Sequence, residues 1–207
     1  GVRLVGSEMC IRDRCRNNLP IACCHRTGND VMKRAFYGRF DLKNATALLQ
    51  FQKKGITQEL LHNLKYRGQE KISSFLGKWL GAELSEEIKY QEIDLVIPVP
   101  LHRHKLKKRG YNQVSGFGKE IAAALDIPFR EDVLLKVSKT RSQVFKKRGT
   151  RFEGSEIFTL QKPEIISHKH ILLVDDIVTT GATLENCAME LLKAEGVSLS
   201  VATMAIA

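Results

Sequence analysis

Beyond about residue 44 the chain alternates between short apolar runs and stripes at helical spacing, a pattern that predicts alternating strands and helices. Residues 44–51 read as a strand, with Leu48, Leu49 and Phe51 as its apolar content. Two amphipathic helices follow: residues 56–65 group Leu60, Leu61 and Leu64, and residues 70–83 place Ile72, Phe75, Leu76, Trp79 and Leu80 on one face. Residues 93–99 form an apolar, β-branched run stopped by Pro98 and Pro100, as expected of a strand covered on both sides. Residues 112–125 carry the stripe Val114, Phe117, Ile121 and Leu125. Residues 133–137 and 157–160 are weaker strand candidates. Residues 171–175 predict another buried strand, 184–193 a helix ended by Gly196, and 197–205 a last strand. Strand, helix and strand in succession, with short connections, predict an α/β domain: a mostly parallel sheet flanked by helices. Residues 1–40 show no period, so a small irregular N-terminal segment is expected ahead of a domain at 41–207.

The 207 residues, 43% hydrophobic and 27% charged, suffice for one sizeable core and exclude disorder as the main state. No apolar run of about 18 residues occurs and no signal-peptide pattern is present, so a soluble, cytoplasmic protein is expected. The formal charge of +10 is unevenly placed. Residues 102–111 (HRHKLKKRGY) hold five Lys/Arg and no acid, and residues 136–151 hold seven and no acid. Outside those two stretches the chain is close to neutral. Two acid-free runs point to an anionic partner such as phosphate or nucleic acid.

Residues 171–183 (ILLVDDIVTTGAT) carry the chemistry. A buried strand ends in adjacent carboxylates, Asp175 and Asp176, and a Thr/Gly turn then opens a helix. Backbone N–H groups around Thr179, Thr180, Gly181, Ala182 and Thr183, with the helix N-terminus, make an anion cup. Acids beside such a cup repel phosphate unless they bind something else, either hydroxyls or a metal. A ribose 5-phosphate satisfies both halves.

This segment resembles the phosphoribosyl-pyrophosphate (PRPP) signature of type I phosphoribosyltransferases. Residues 98–113 (PVPLHRHKLKKRGYNQ) and 64–68 (LKYRG) extend the resemblance to the ComF family, competence-associated proteins of that fold, over most of residues 15–207. The resemblance implies that Asp175 and Asp176 contact the ribose hydroxyls and that Thr179–Thr183 hold the 5-phosphate. It places pyrophosphate beside a loop made of Pro100, Leu101 and His102, with Arg103 and Lys105 assisting. Family pattern also singles out Arg109, Gly110, Tyr111, Asn112 and Gln113, together with Gln143 and Arg148 on a lid at 136–151. The implied reaction displaces pyrophosphate at the anomeric carbon with Mg²⁺ on the ligand, transferring phosphoribosyl to an unnamed acceptor. Implied partners are PRPP or a nucleotide, competence proteins and single-stranded DNA.

Members of the family commonly carry an N-terminal zinc finger of two Cys-x-x-Cys pairs. Here Cys10, Cys15, Cys23 and Cys24, with His25, have the wrong spacing, and only Cys15 matches a finger ligand. Residues 7–14 (SEMCIRDR) also read as a translated adaptor fragment, which sets Cys10 aside. Free thiols are therefore expected, with Cys15, Cys23 and Cys24 as the remaining zinc candidates. Cys187 and Trp79 fit core stripes, and His168 and His170 are expected at the surface. Two other readings stand beside the enzyme: a non-catalytic PRPP- or nucleotide-binding adaptor in DNA uptake, and a nucleic-acid binder gripping the backbone with its two basic loops.

Overall fold

Four parallel strands form the central sheet of the protein in a computed structural model that describes residues 18–22, 24–25, 31–137 and 157–207. They are β1 (Ala45–Gln50), β2 (Leu95–Pro98), β5 (His170–Val178) and β6 (Ser198–Ile206), in the order β1-β6-β5-β2. Each neighbouring pair is parallel. Side chains alternate across a strand, so Leu172 and Val174 face one side of the sheet while Ile171 and Leu173 face the other. Both sides are covered, which is why these strands read as unbroken apolar runs.

On the first side lie α2 (Ile56–Tyr66), α3 (Lys71–Ser85) and α5 (Ser115–Ala124). Their residues Leu64, Leu76, Leu80, Phe117 and Ile121 bury against Leu172, Val174 and Met204. Each fully buried side chain of this kind contributes about 1.5–3 kcal/mol. Helices α3 and α5 meet almost backbone to backbone, since a Cβ on Gly77 would lie 2.6 Å from the Phe117 carbonyl oxygen. On the opposite side α1 (Val31–Arg34) and α7 (Ala182–Leu191) bring Met32, Leu184, Cys187 and Leu191 against Ile171, Leu173 and Val201.

An antiparallel pair, β3 (Leu134–Val137) and β4 (Ile157–Leu160), stands beside the main sheet. The short helix α6 (Pro163–Ile166) leads from it into β5. Residues 18–22 and 24–25 are tied to the domain as well. Ile21 bridges Leu49, and buried His25 meets Thr46 Oγ1 through Nδ1 at 2.9 Å and Glu83 through Nε2 at 2.9 Å. Among the described residues no helix is long and apolar enough to cross a membrane.

The strands and long helices stand where the periodicity places them, with three differences. Residues 103–109, read as loop, form the helix α4 (Arg103–Arg109). That helix buries no side chain and is set by its ends: His102 Nδ1 accepts from the His104 N–H at 3.2 Å, and Gly110, at φ +86°, donates its N–H to the Leu106 carbonyl. Helical periodicity has nothing to register in such a segment. Second, β5 runs three residues past the expected end, because Ile177 and Val178 continue the ladder to Ala205 and Ile206. Third, His170 is buried rather than at the surface. It opens β5 opposite Ser198, its ring meets Ser200 Oγ at 2.8 Å, and its N–H donates to Asp94. His168 remains exposed.

Candidate functional site

The two carboxylates stand at the C-terminal end of β5, the edge where open parallel sheets bind ligands. Strand alternation separates them. Asp176 turns toward the α2 side, where Lys65 Nζ lies 2.9 Å from Oδ1 and Gln113 Nε2 donates to Oδ2 at 2.7 Å. Asp175 is enclosed, and its Oδ1 accepts the Asp176 backbone N–H at 2.8 Å. Burial, and then the neighbouring Asp176 carboxylate, push Asp175 well above the usual carboxylate range. The acids are therefore unequal: Asp176 is tied to a cation and an amide, whereas Asp175 is biased toward its neutral form. Both are more enclosed than an open pair of hydroxyl ligands.

After β5, residues Thr179 and Thr180 are exposed and Gly181 turns the chain at φ +76° into α7. The left-handed value suits glycine, and the space does too: a Cβ there would meet Phe36 Cε1 at 2.8 Å. Arg39 clamps the same turn. Its Nη1 donates to the Thr180 carbonyl at 2.6 Å and lies 3.2 Å from Glu185 Oε2. The Ala182 N–H donates to Thr180 Oγ1 at 3.4 Å, so the turn that opens α7 is held by its own hydroxyl as well as by Arg39. Phe36 and Arg39 escaped sequence reasoning because they lie in a segment with no period.

Across the sheet edge, the chain leaving β2 passes Pro100, Leu101 and His102 and enters α4. The His102 and His104 rings stack with centroids 5.4 Å apart. A cavity of about 940 Å³ lies here, lined by Leu101, His102, Arg103, Tyr111, Glu131 and Lys136 among others. Neither acid nor the Thr179–Thr183 turn lines it. Lys105 points outward on α4, and Arg103 borders the cavity.

Of residues 109–113, Gln113 reaches the acid pair directly, while Gly110, Tyr111 and Asn112 line the cavity. Arg109 donates to Gln113 Oε1, Tyr111 Oη donates to the Leu64 carbonyl, and Asn112 Nδ2 reaches the Val99 carbonyl at 3.0 Å. Lys65 thus belongs to the site through LKYRG, a motif that the sequence marked without assigning this residue a role. Gln143 and Arg148 lie outside the described residues, as does most of the expected lid; its first residue, Lys136, belongs to β3.

Cys24 is a half-buried free thiol, while Cys10, Cys15 and Cys23 lie outside the described residues. Among the described residues no group of three or more His, Cys, Asp or Glu is placed to hold a metal. The donor set at the strand end fits a cation that arrives on a ligand better than one held by a protein cage. Both Asp176 oxygens already accept hydrogen bonds, and Asp175 leans toward its protonated form.

Residues 115–207 match the phosphoribosyl transferase domain. Competence protein F of Haemophilus influenzae is 28% identical over 140 residues, which cover 65% of this chain and 61% of that protein. Competence protein ComFC of Streptococcus pneumoniae is 36% identical over 122 residues, covering 58% of this chain and 51% of its own length. The matches thus span about half to three-fifths of these relatives. Among solved structures, Saccharomyces cerevisiae adenine phosphoribosyltransferase is 19% identical with a TM-score of 0.44, covering 71% of this chain and 74% of its own.

Proposed function

We propose that this chain is a phosphoribosyltransferase-like protein of the ComF family that binds PRPP and transfers the phosphoribosyl group to an acceptor, releasing pyrophosphate. One observation carries the reading: a buried parallel strand delivers Asp175 and Asp176 directly to a Thr/Gly turn that opens α7, within the matched domain. In this assignment Asp176 accepts from a ribose hydroxyl while Lys65 and Gln113 hold it in place. Asp175 lies next to it on the strand end and completes the grip. The turn at Thr179–Thr183 receives the 5-phosphate through backbone N–H groups, and Arg39 keeps that turn in shape. Pro100, Leu101 and His102 flank the pyrophosphate, with Arg103 and Lys105 supplying positive charge as the bond from the anomeric carbon to the pyrophosphate oxygen breaks.

Mg²⁺ would be held by pyrophosphate and ribose oxygens of the ligand and would supply neutralisation of the leaving group. We place the protein in the cytoplasm and, by the names of its relatives, in competence and DNA uptake.

The enclosure of both acids supports a second reading, a PRPP- or nucleotide-binding adaptor without turnover. Incubation with PRPP, Mg²⁺ and a panel of bases, with pyrophosphate release measured, separates the two. Release with one base supports transfer. PRPP binding in calorimetry without release supports the adaptor, and no binding overturns both.

A further inference from the structure

The side chain of Gln113 lies between two groups that the sequence does not connect. Arg109, the last residue of α4, donates to its Oε1, and its Nε2 donates to Asp176 Oδ2 at 2.7 Å. The orientation of this amide is dictated by chemistry. A guanidinium has only donors, so the atom facing Arg109 must be oxygen; a carboxylate has only acceptors, so the atom facing Asp176 must be nitrogen. Gln113 is buried, and its backbone is fixed as well. Its carbonyl accepts from Ser73 Oγ at 2.6 Å, and Ser73 Oγ accepts in turn from the Phe117 N–H at 2.8 Å. Arg109 is held on its other side by the Tyr66 ring, 5.7 Å from the guanidinium carbon. The outcome is a continuous chain from Tyr66 through Arg109 and Gln113 to Asp176, which Lys65 closes from the opposite oxygen.

We propose that Gln113 is a positioning residue for the ribose grip, its amide set by Arg109 so that the last residue of the basic helix determines where the Asp176 carboxylate stands. The inference rests on the PRPP reading for its consequence but not for its geometry. It makes the two ends of the site dependent on one another. A change at Arg109, which has no acid partner among the described residues, is felt at Asp176 through one rigid amide.

Two measurements on the full chain test it. The first needs no ligand: the side-chain amide resonances of Gln113 in a ¹H–¹⁵N spectrum. They are expected outside the crowded region of exposed glutamines and are expected to move toward it in Arg109→Met and in Asp176→Asn. An exposed-type signal that ignores Arg109→Met overturns the proposal. The second is the affinity for ribose 5-phosphate of Gln113→Met, Arg109→Met and the double variant. Each single change is expected to weaken binding about tenfold, the worth of one charge-assisted hydrogen bond, with the double variant no worse than either. Arg109→Lys, which keeps a donor but loses the planar contact with Tyr66, is expected to fall between the parent and Arg109→Met. Additive losses overturn the proposal. Absence of ribose 5-phosphate binding by the parent chain overturns the PRPP reading alone, since the amide spectrum then still decides whether the chain of bonds exists.

Discussion

The two ends of the candidate site are built on opposite plans. At the β5–α7 end the acids sit on a buried central strand, the turn is clamped by Arg39, and Phe36 fills the space beneath Gly181. At the β2–α4 end the cations stand on a seven-residue helix with no buried side chain, fixed by a histidine cap and a left-handed glycine. The first end is preformed and tolerates little change. The second presents exposed charge on a helix that buries no side chain and is tied to the first end at Arg109, through Gln113. A ligand with a sugar phosphate at one end and a diphosphate at the other needs that division: stereochemistry must be read rigidly, whereas a diffuse polyanion is met by field more than by fit.

The sharpest way to break the comparison is to neutralise the preformed end. On the PRPP reading, Asp175→Asn with Asp176→Asn exchanges the carboxyl groups that meet the ribose hydroxyls for amides and is expected to lower PRPP affinity at least roughly thirtyfold, the worth of one charge-assisted and one neutral hydrogen bond. Calorimetry with Mg²⁺ measures it, and an unchanged affinity would remove the acids from the site. Lys65→Met comes next. It leaves Asp176 with one partner in an enclosed position and is expected to lower stability by about 2 kcal/mol in urea melts, less than a fully buried pair because Lys65 keeps some contact with water. Gly181→Ala forces a side chain into left-handed backbone and against Phe36, so a loss of about 1–2 kcal/mol is expected, with weaker ribose 5-phosphate binding.

Asp175 sharpens the contrast through pH. Its carboxyl is raised in the folded state, so the fold binds this proton more tightly than the unfolded chain does. The stabilisation is complete below the unfolded value, near 3.8, and is lost as pH rises through the raised folded value. Asp175→Asn removes the cost of ionising that buried group. Its Tm is therefore expected to exceed that of the parent at neutral pH, with the advantage shrinking toward pH 4. A constant difference across that range would show that Asp175 ionises as an exposed aspartate does.

The preformed end was legible in the sequence for the same reason that it is rigid. Strand, acid pair, Thr/Gly turn and helix are contiguous, so ILLVDDIVTTGAT carries its own geometry. The apolar faces were equally plain, because parallel strands covered on both sides have no polar alternation to confuse the reading. What escaped was long-range. Arg39 and Lys65 reach the site across 141 and 111 residues, and no local pattern encodes such a partner. Helix α4 escaped for the opposite reason, since a helix that buries nothing has no stripe. The burial of His170 followed from its register with Ser198 and its ring contact with Ser200, which only the sheet supplies.

The smallest expected effects lie at the β2–α4 end, and they test how firmly its exposed cations meet a ligand. Arg103→Gln and Lys105→Gln remove exposed charges from α4 without breaking any packing contact, so Tm is expected to stay unchanged. Each is expected to weaken pyrophosphate binding by only about threefold at low salt, the worth of one exposed charge. Because exposed charges are screened over about 8 Å at physiological ionic strength, each change is also expected to flatten the fall of affinity with added salt. Titrations of pyrophosphate at two salt concentrations read both quantities. A tenfold loss that persists at high salt would mean that these side chains grip the diphosphate in fixed geometry, and the β2–α4 end would then be as preformed as the strand that carries the acids.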